Sequence, residues 1–156
     1  MSATPPMVRR LRPGDLPAFR ALNALFGAVF DEPETYGGAP PTEAYVDALL
    51  AKDHVIALVA ESGGEVVGGL VAYEFDKFER MRREVYIYDL GVAVHARRQG
   101  VATALIGRLR RLAAERGAWV VFVQADHGDA PAIALYEKLG VREEVLHFDI
   151  APADTP

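Results

Sequence analysis

The feature that most constrains this fold is a change of hydrophobic period in the middle of the chain. Residues 84–94 (EVYIYDLGVAV) are apolar and β-branched, which is typical of a central strand. From Gly100 the apolar residues recur at three- and four-residue spacing, which indicates an amphipathic helix that ends at Arg116 and Gly117. A central strand that leads into such a helix implies a sheet with helices packed on its faces.

The rest of the chain supplies further strands and helices on both sides of this unit. The expected elements are a strand near residues 7–11, a helix from its N-cap Asp15 to about residue 30, a loop at 31–41, a short helix capped by Thr42, a hairpin of strands 54–61 and 66–75, a strand at 119–124, a helix at 130–139 and a last strand at 141–150. This order predicts the α/β class, in its α+β form with a mixed sheet flanked by helices. We expect a single domain over residues 1–156, with flexible ends at 1–6 and 151–156.

Composition removes several classes of protein and of site. The chain has 156 residues, 51% of them hydrophobic and 25% charged, which is typical of a folded domain and not of a disordered one. It has no cysteine, so disulfides, thiol nucleophiles and cysteine zinc sites are excluded. The four histidines lack metal-ligand spacing, and we expect no metal. No apolar run is long enough to span a bilayer and no signal peptide is visible, so we expect a cytoplasmic protein.

Charge is distributed unevenly along the chain. The net charge is −5, but residues 97–116 carry six arginines and one glutamate, which makes this segment +5 and the remainder −10. The acidic total argues against nucleic acid as the main partner. The basic segment is suited to an anion, while the acidic remainder is suited to a cation.

The turn before the central helix is a candidate anion site. A helix that begins after Arg97-Arg98-Gln99-Gly100 presents unpaired backbone N–H groups and the positive end of its dipole. The missing β-carbon at Gly100 and the small Ala102 would let a phosphate approach the backbone. A P-loop and a dinucleotide fingerprint are both excluded, because neither glycine pattern occurs at this turn.

The same run, from Arg97 to Ala102, resembles the Arg/Gln-x-x-Gly-x-Gly/Ala signature of the Gcn5-related N-acetyltransferases. Residues 132–140 (AIALYEKLG) look like that superfamily's second motif, and the order of elements also matches. The resemblance implies that acetyl-coenzyme A (acetyl-CoA) is the cosubstrate and that the helix start grips its pyrophosphate.

A narrower resemblance covers nearly the whole chain. The strings EVYIYDL at 84–90, VQAD at 123–126 and REEVLHFDI at 142–150 look like the type I aminoglycoside 3-N-acetyltransferases. That family implies acetyl transfer to the 3-amino group of the deoxystreptamine ring of gentamicin-type antibiotics, and with it antibiotic resistance. We also expect a homodimer, as relatives often are.

Two side chains are candidates for proton transfer. Asp89 interrupts an apolar strand, where a carboxylate is costly without a purpose, and burial would raise its pKa toward that of a useful base. It could instead hold the substrate ammonium and pass its proton to water, or be a structural aspartate at a bulge. Tyr136 matches the superfamily's tyrosine that protonates the departing thiolate, and its alternative is an ordinary helix tyrosine that faces the sheet.

The remaining candidates bind the two substrates. The resemblance implies that backbone N–H groups of Leu90, Gly91 and Val92 polarise the thioester carbonyl, with no side chain required. We expect the main-chain amides of Gln99, Gly100, Val101, Ala102 and Thr103 to grip the pyrophosphate, and Arg97 and Arg98 to be further contacts of the cosubstrate. Gly91 would suit a bulge that splays the strands, and both arginines could equally be solvated surface charges. For a polycationic acceptor the candidates are Asp126, Asp129 and Asp149, although Asp129 could instead cap the helix that follows it.

Other functions stay open on the residues alone. The acceptor could be another polyamine or a protein amine, or the chain could bind coenzyme A without catalysis. A covalent acetyl-enzyme is disfavoured because the chain has no cysteine.

Overall fold

The computed structural model describes residues 4–154, which form two compact units. The first unit ends at Gln124 and the second begins at Ala125. The elements of the first unit are β1 (Met7–Arg10), α1 (Leu16–Val29), α2 (Pro33–Gly37), α3 (Glu43–Leu50), β2 (Val55–Ser62), β3 (Glu65–Asp76), β4 (Arg83–Val92), a 3₁₀ turn (Val94–Ala96), α4 (Val101–Glu115) and β5 (Ala118–Val123). The second unit contains α5 (Ala130–Glu137).

The first unit is built on a five-stranded mixed sheet in the order β1-β2-β3-β4-β5. All neighbours are antiparallel except β4 and β5, which are parallel. The predicted hairpin of β2 and β3 is confirmed, with its turn at Gly63 and Gly64. The parallel pair is joined by α4, the crossover helix that a parallel connection requires. The predicted mixed sheet flanked by helices is therefore confirmed.

Helices cover the two faces of this sheet. A β-carbon on Gly69 would lie 2.0 Å from Cδ1 of Leu22, so this face of β3 meets α1. A β-carbon on the next residue, Gly68, would lie 2.7 Å from Cγ1 of Val101, so the opposite face meets α4. The core between the layers includes the fully buried Leu58, Leu70, Leu105 and Leu109.

Several local predictions were wrong. The segment 31–41 was expected to be a loop, but it contains α2, which Pro33 begins because proline is preorganised for the first helical turn. Asp15 is the N-cap residue of α1, as predicted, but its carboxylate makes no cap bond and accepts instead from the backbone N–H of Arg12 at 2.7 Å. β5 was expected to be buried, but as an edge strand it is partly exposed along its length.

The last predicted strand is also absent. Residues 141–150 form no strand within the described part of the chain, and their large apolar side chains are exposed. Alternating apolar residues give a segment strand propensity, but a strand also needs a partner edge to bond to. Of the expected flexible ends, residues 4–6 and 151–154 have no secondary structure, and the rest of those ends lies outside the described residues.

Candidate active site

The carboxylate of Asp89 owes its position to a bulge in β4. Along the ladder with β3, Val71 pairs with Asp89 and Ala72 pairs with Ile87, so Tyr88 is the extra residue. A bulge of this kind directs neighbouring side chains toward the same face. The bulge expected at Gly91 is therefore misplaced by three residues, and Gly91 pairs in regular register with Gly69.

Gly91 has a packing role instead. A β-carbon there would lie 2.9 Å from Cγ2 of Val29 and 3.2 Å from Cδ1 of Phe26. The glycine lets α1 approach β4 closely. Asp89 lies two residues earlier along the strand, on the same face as Gly91.

A tyrosine from α2 contacts Asp89. The hydroxyl of Tyr36 donates a hydrogen bond to Oδ1 of Asp89 at 2.9 Å. Burial raises the pKa of Asp89 above its ordinary value, the hydrogen bond from Tyr36 lowers it, and the charge of Glu32 raises it again. The raised pKa is in the direction expected for a buried carboxylate that accepts protons.

An aromatic surface continues the face of the sheet on which Asp89 lies. Tyr73 and Tyr88 meet edge to face with their centroids 5.8 Å apart, and Tyr86 stacks on Phe122 at 4.7 Å. Tyr88 is 63% exposed. A carboxylate next to exposed aromatic rings is an environment that attracts an ammonium group.

Next to Asp89, β4 and β5 stop pairing, which leaves a gap between the two strands. The parallel ladder between β4 and β5 ends with the pair Ile87 and Val123, so β5 offers no partner to Tyr88–Val92. The N–H of Ala93 donates to the carbonyl of Val67 at 2.8 Å. Antiparallel residues alternate between bonding their partner and pointing away from it, so Leu90 and Val92 direct their N–H and C=O groups into the gap. Gly91, which lies between them, directs its own toward β3.

The turn that follows carries a second set of free donors. Arg98 and Gly100 both have positive φ, 61° and 78°, which folds the backbone sharply before α4. Within the described residues, the N–H groups from Arg98 to Thr103 make no hydrogen bond to protein atoms. A β-carbon on Gly100 would meet nothing within 4 Å, so the glycine is needed for its backbone angle. Several free amides at the start of a fifteen-residue helix are suited to a pyrophosphate.

Two side chains of this turn donate hydrogen bonds to nearby backbone carbonyls. Nε of Arg97 donates to the carbonyl of Val92 at 3.3 Å, and Nε2 of Gln99 donates to the carbonyl of His95 at 3.2 Å. Arg98 is exposed. The free donors of this turn are therefore mostly backbone amides, and that they bind an anion stays a prediction.

The second unit contains the other predicted side chains. Partial burial and the charge of Asp129 raise the pKa of Tyr136 to about 12. The carboxylate of Asp129 accepts from the N–H of Ala132 at 3.2 Å, which confirms its alternative role as the cap of α5. Asp126 and Asp149 are exposed, and a hydrogen bond of 2.9 Å joins Oδ1 of Asp149 to Nε2 of His147.

Sequence reasoning missed Tyr36. The residue lies in a proline- and glycine-rich segment, 53 positions from the carboxylate that it contacts. The five-residue helix that carries it was concealed by the three prolines and two glycines of residues 31–41, which favour a loop.

Two kinds of feature are absent from the part of the chain that the structure describes. Residues 4–154 contain no group of three or more His, Asp or Glu side chains placed to hold a metal ion. None of their helices combines the length and apolar character needed to cross a membrane.

Comparison with known proteins agrees with this geometry. The chain is 54% identical to the solved aminoglycoside acetyltransferase HMB0005 from an uncultured soil metagenomic sample, with a TM-score of 0.93 over 98% of this chain and 100% of that one. It is 31% identical to the aminoglycoside acetyltransferase meta-AAC0020, also from such a sample and solved with sisomicin, with a TM-score of 0.87 over 95% and 97% of the two chains.

A curated bacterial protein and a family model extend the comparison. The uncharacterized N-acetyltransferase YhfO of Bacillus subtilis (strain 168) is 28% identical over 143 residues, which cover 90% of this chain and 94% of that protein. The model described as the acetyltransferase (GNAT) family matches residues 22–141. The chain is an N-acetyltransferase that belongs to the acetyltransferase (GNAT) family, whose cosubstrate is acetyl-CoA.

Proposed function

We propose that this chain transfers the acetyl group of acetyl-CoA directly to the 3-amino group of gentamicin-type aminoglycosides. The observation that carries the proposal is the partly buried carboxylate of Asp89, which lies beside the gap between β4 and β5 in a chain 54% identical to an aminoglycoside acetyltransferase. An aminoglycoside carries several ammonium groups, and the −10 charge outside residues 97–116 favours such a substrate. Modification of this kind would confer antibiotic resistance.

The binding of acetyl-CoA would use the two sets of free backbone donors. The amides from Arg98 to Thr103 would hold the pyrophosphate, and the strand edge at Leu90 and Val92 would bond the arm that carries the thioester. The N–H of Leu90 points into the gap, where it would stabilise negative charge on the thioester oxygen. The bound thioester supplies the acetyl group and a thiolate leaving group.

Asp89 would prepare the acceptor. The acceptor reaches the site as an ammonium ion, and it must lose one proton before its nitrogen can attack. Asp89, directly or through a water molecule, takes that proton. As the new C–N bond forms the C–S bond breaks, and the thiolate takes a proton for which Tyr136 is the proposed donor. The acylated nitrogen then loses its second proton to solvent, and solvent returns a proton to Tyr136. A pKa of about 12 keeps Tyr136 protonated at neutral pH. Because a thiol is the stronger acid, donation from Tyr136 to the thiolate is uphill from this pKa.

Transfer in a ternary complex needs no covalent enzyme intermediate. The chain has no cysteine to accept the acetyl group. The alternatives that the comparisons leave are acetylation of another polyamine or of a protein amine, and coenzyme A binding without catalysis.

A homodimer is part of the proposal. The segment 141–150 exposes large apolar side chains, with Val141 at 96%, Leu146 at 82% and Ile150 at 88%. Exposed apolar residues that are close along a short segment are typical of a protein interface.

The test is a thiol-release assay with acetyl-CoA and a panel of acceptors. We expect release with sisomicin and gentamicin, none with spermidine or peptides, and acetylation at the 3-amino group by NMR of the product. Asp89→Asn should lower kcat/KM at least about 100-fold while circular dichroism shows an intact fold. Release only with peptides or spermidine would assign a different acceptor, and calorimetric binding of coenzyme A with no release would indicate a binding module.

A further inference from the structure

Tyr36 is held rigidly at the site by α1. Its ring packs against Phe26 and Phe30, with both centroid distances 5.7 Å. Gly27 allows this approach, because a β-carbon there would lie 3.5 Å from Cβ of Tyr36 and 3.4 Å from Cα of Pro33. A phenol fixed by two neighbouring rings can aim its hydroxyl at one acceptor.

That acceptor is one oxygen of Asp89. The hydroxyl donates to Oδ1 at 2.9 Å, while within the described residues Oδ2 has no hydrogen-bond partner. A carboxylate whose first oxygen is occupied presents its second oxygen in a defined direction. Asp89 is thus oriented before a substrate arrives.

We propose that Tyr36 is a positioning residue for Asp89, which it holds so that Oδ2 faces the acceptor ammonium group. The inference rests on the proposed function, because it assigns to Asp89 the acceptor's proton. Tyr36 itself does not exchange protons. Burial, the hydrogen bond to Asp89 and nearby negative charge raise its pKa well above the ordinary value, so it remains a donor.

Tyr36 and Glu32 act in opposite directions on the pKa of Asp89. The titratable groups that face Asp89 are Glu32 before α2, Tyr36 on α2, Tyr73 on β3, and Tyr86 and Tyr88 on β4. Burial raises the pKa of Tyr36, Tyr73 and Tyr86, which keeps these phenols uncharged at neutral pH, while Glu32 contributes negative charge. A hydrogen bond to the ionised form of Asp89 favours that form, while the charge of Glu32 disfavours it.

The experiment is an NMR titration of the Asp89 side-chain carboxyl carbon, assigned by comparison with Asp89→Asn. In Tyr36→Phe the ring and its packing remain and the donor is lost. We expect the midpoint of Asp89 to move to higher pH by about one unit. The acidic limb of the kcat/KM profile should move in the same direction, because less Asp89 is ionised at a given pH.

Two further variants separate positioning from general damage. Tyr86→Phe removes a phenol hydroxyl from the same strand as Asp89, one that donates to Oε1 of Gln124 at 2.8 Å, and it should leave the Asp89 midpoint unchanged. Glu32→Gln should move the midpoint to lower pH, opposite to Tyr36→Phe.

An unchanged Asp89 midpoint in Tyr36→Phe would overturn the proposal, even if that variant were less active. The titration needs no substrate, so it decides the role of Tyr36 whatever the acceptor screen shows. The Asp89 midpoint could shift in Tyr36→Phe while the wild type acetylates no aminoglycoside. That pair of results would refute the proposed substrate and support the coupling between Tyr36 and Asp89.

Discussion

At the scale of single residues, the partly buried carboxylate of Asp89 has a cost in stability, and the proton transfer proposed for it gives a reason for that cost. Its carboxylate lies on a strand whose neighbours Ile87 and Gly91 are buried. Burial raises its pKa, which means that the folded protein binds a proton more tightly there than the unfolded chain does. The ionised form needed at neutral pH is therefore the form that the fold tolerates less well.

This gives a prediction for stability as a function of pH. Between the unfolded and the raised folded pKa of Asp89, the folded state holds more protons than the unfolded state, so this residue's contribution to stability falls as pH rises. Asp89→Asn should therefore melt at a higher temperature than the wild type at pH 7. The difference should shrink as pH falls toward the ordinary carboxyl pKa, which differential scanning calorimetry over pH 4–8 would measure. An equal or lower melting temperature at pH 7 would contradict the prediction.

Sequence reasoning singled out Asp89 but not its hydrogen-bond partner. Asp89 could be predicted because one charged residue in an apolar strand is conspicuous. Tyr36 could not, since its hydrogen bond joins residues 53 positions apart and depends on how closely α2 packs against α1. The position of the bulge was likewise hidden, because glycine is only one of the residues that a bulge accepts and the extra residue here is Tyr88.

At the scale of secondary structure elements, paired glycines set the distance between α1 and the sheet. Gly69 on β3 and Gly91 on β4 are direct partners, and both lie beneath α1. Any side chain at either position would push against Leu22, Phe26 or Val29. The bulge and the contact from Tyr36 lie next to this close contact, so the site depends on it.

A substitution at this contact should be costly. Gly69→Ala would place a β-carbon 2.0 Å from Cδ1 of the buried Leu22, and we expect a loss of about 1–3 kcal/mol in urea unfolding as Leu22 shifts. The control is Gly107→Ala in α4, whose β-carbon would come no nearer than 3.8 Å to Arg111. This change should stabilise by about 0.5–1 kcal/mol, because alanine is the better helix former. Equal effects of the two substitutions would argue against the close approach of α1.

The sequence predicted secondary structure correctly where a segment has a long hydrophobic period. It failed where an element depends on a neighbouring strand or is too short to show a period. The fifteen residues of α4 and the hairpin of β2 and β3 carry clear periods and turn residues, and both were predicted. The segment 141–150 has the apolar content of a strand, yet strand formation depends on an edge that the sequence does not specify. The five residues of α2 are too few to show a helical period.

At the scale of the whole molecule, the exposed apolar segment 141–150 is the feature that most favours self-association. We predict that the wild type sediments as a dimer and that the double variant Leu146→Glu, Ile150→Glu sediments as a monomer. New charge on side chains buried in an interface opposes association.

The control for this experiment is Phe78→Glu combined with Met81→Glu. Both residues are exposed in the first unit, at 105% and 104%, and lie outside the segment. This variant should remain dimeric in sedimentation velocity. A C-terminal variant that stays dimeric would place the interface elsewhere.

The gap that opens where β5 stops pairing with β4 also has a thermodynamic meaning. Strand edges inside a sheet are normally completed by another strand, but among residues 4–154 no strand pairs with Leu90 and Val92 on that side, where the side chain of Arg97 bonds the carbonyl of Val92. If acetyl-CoA binds along this edge of β4, it takes the place that a neighbouring strand would occupy in the sheet. The protein's resistance to unfolding then reports the supply of acetyl-CoA, increasing by about 2.7 kcal/mol when the free concentration reaches a hundred times the dissociation constant.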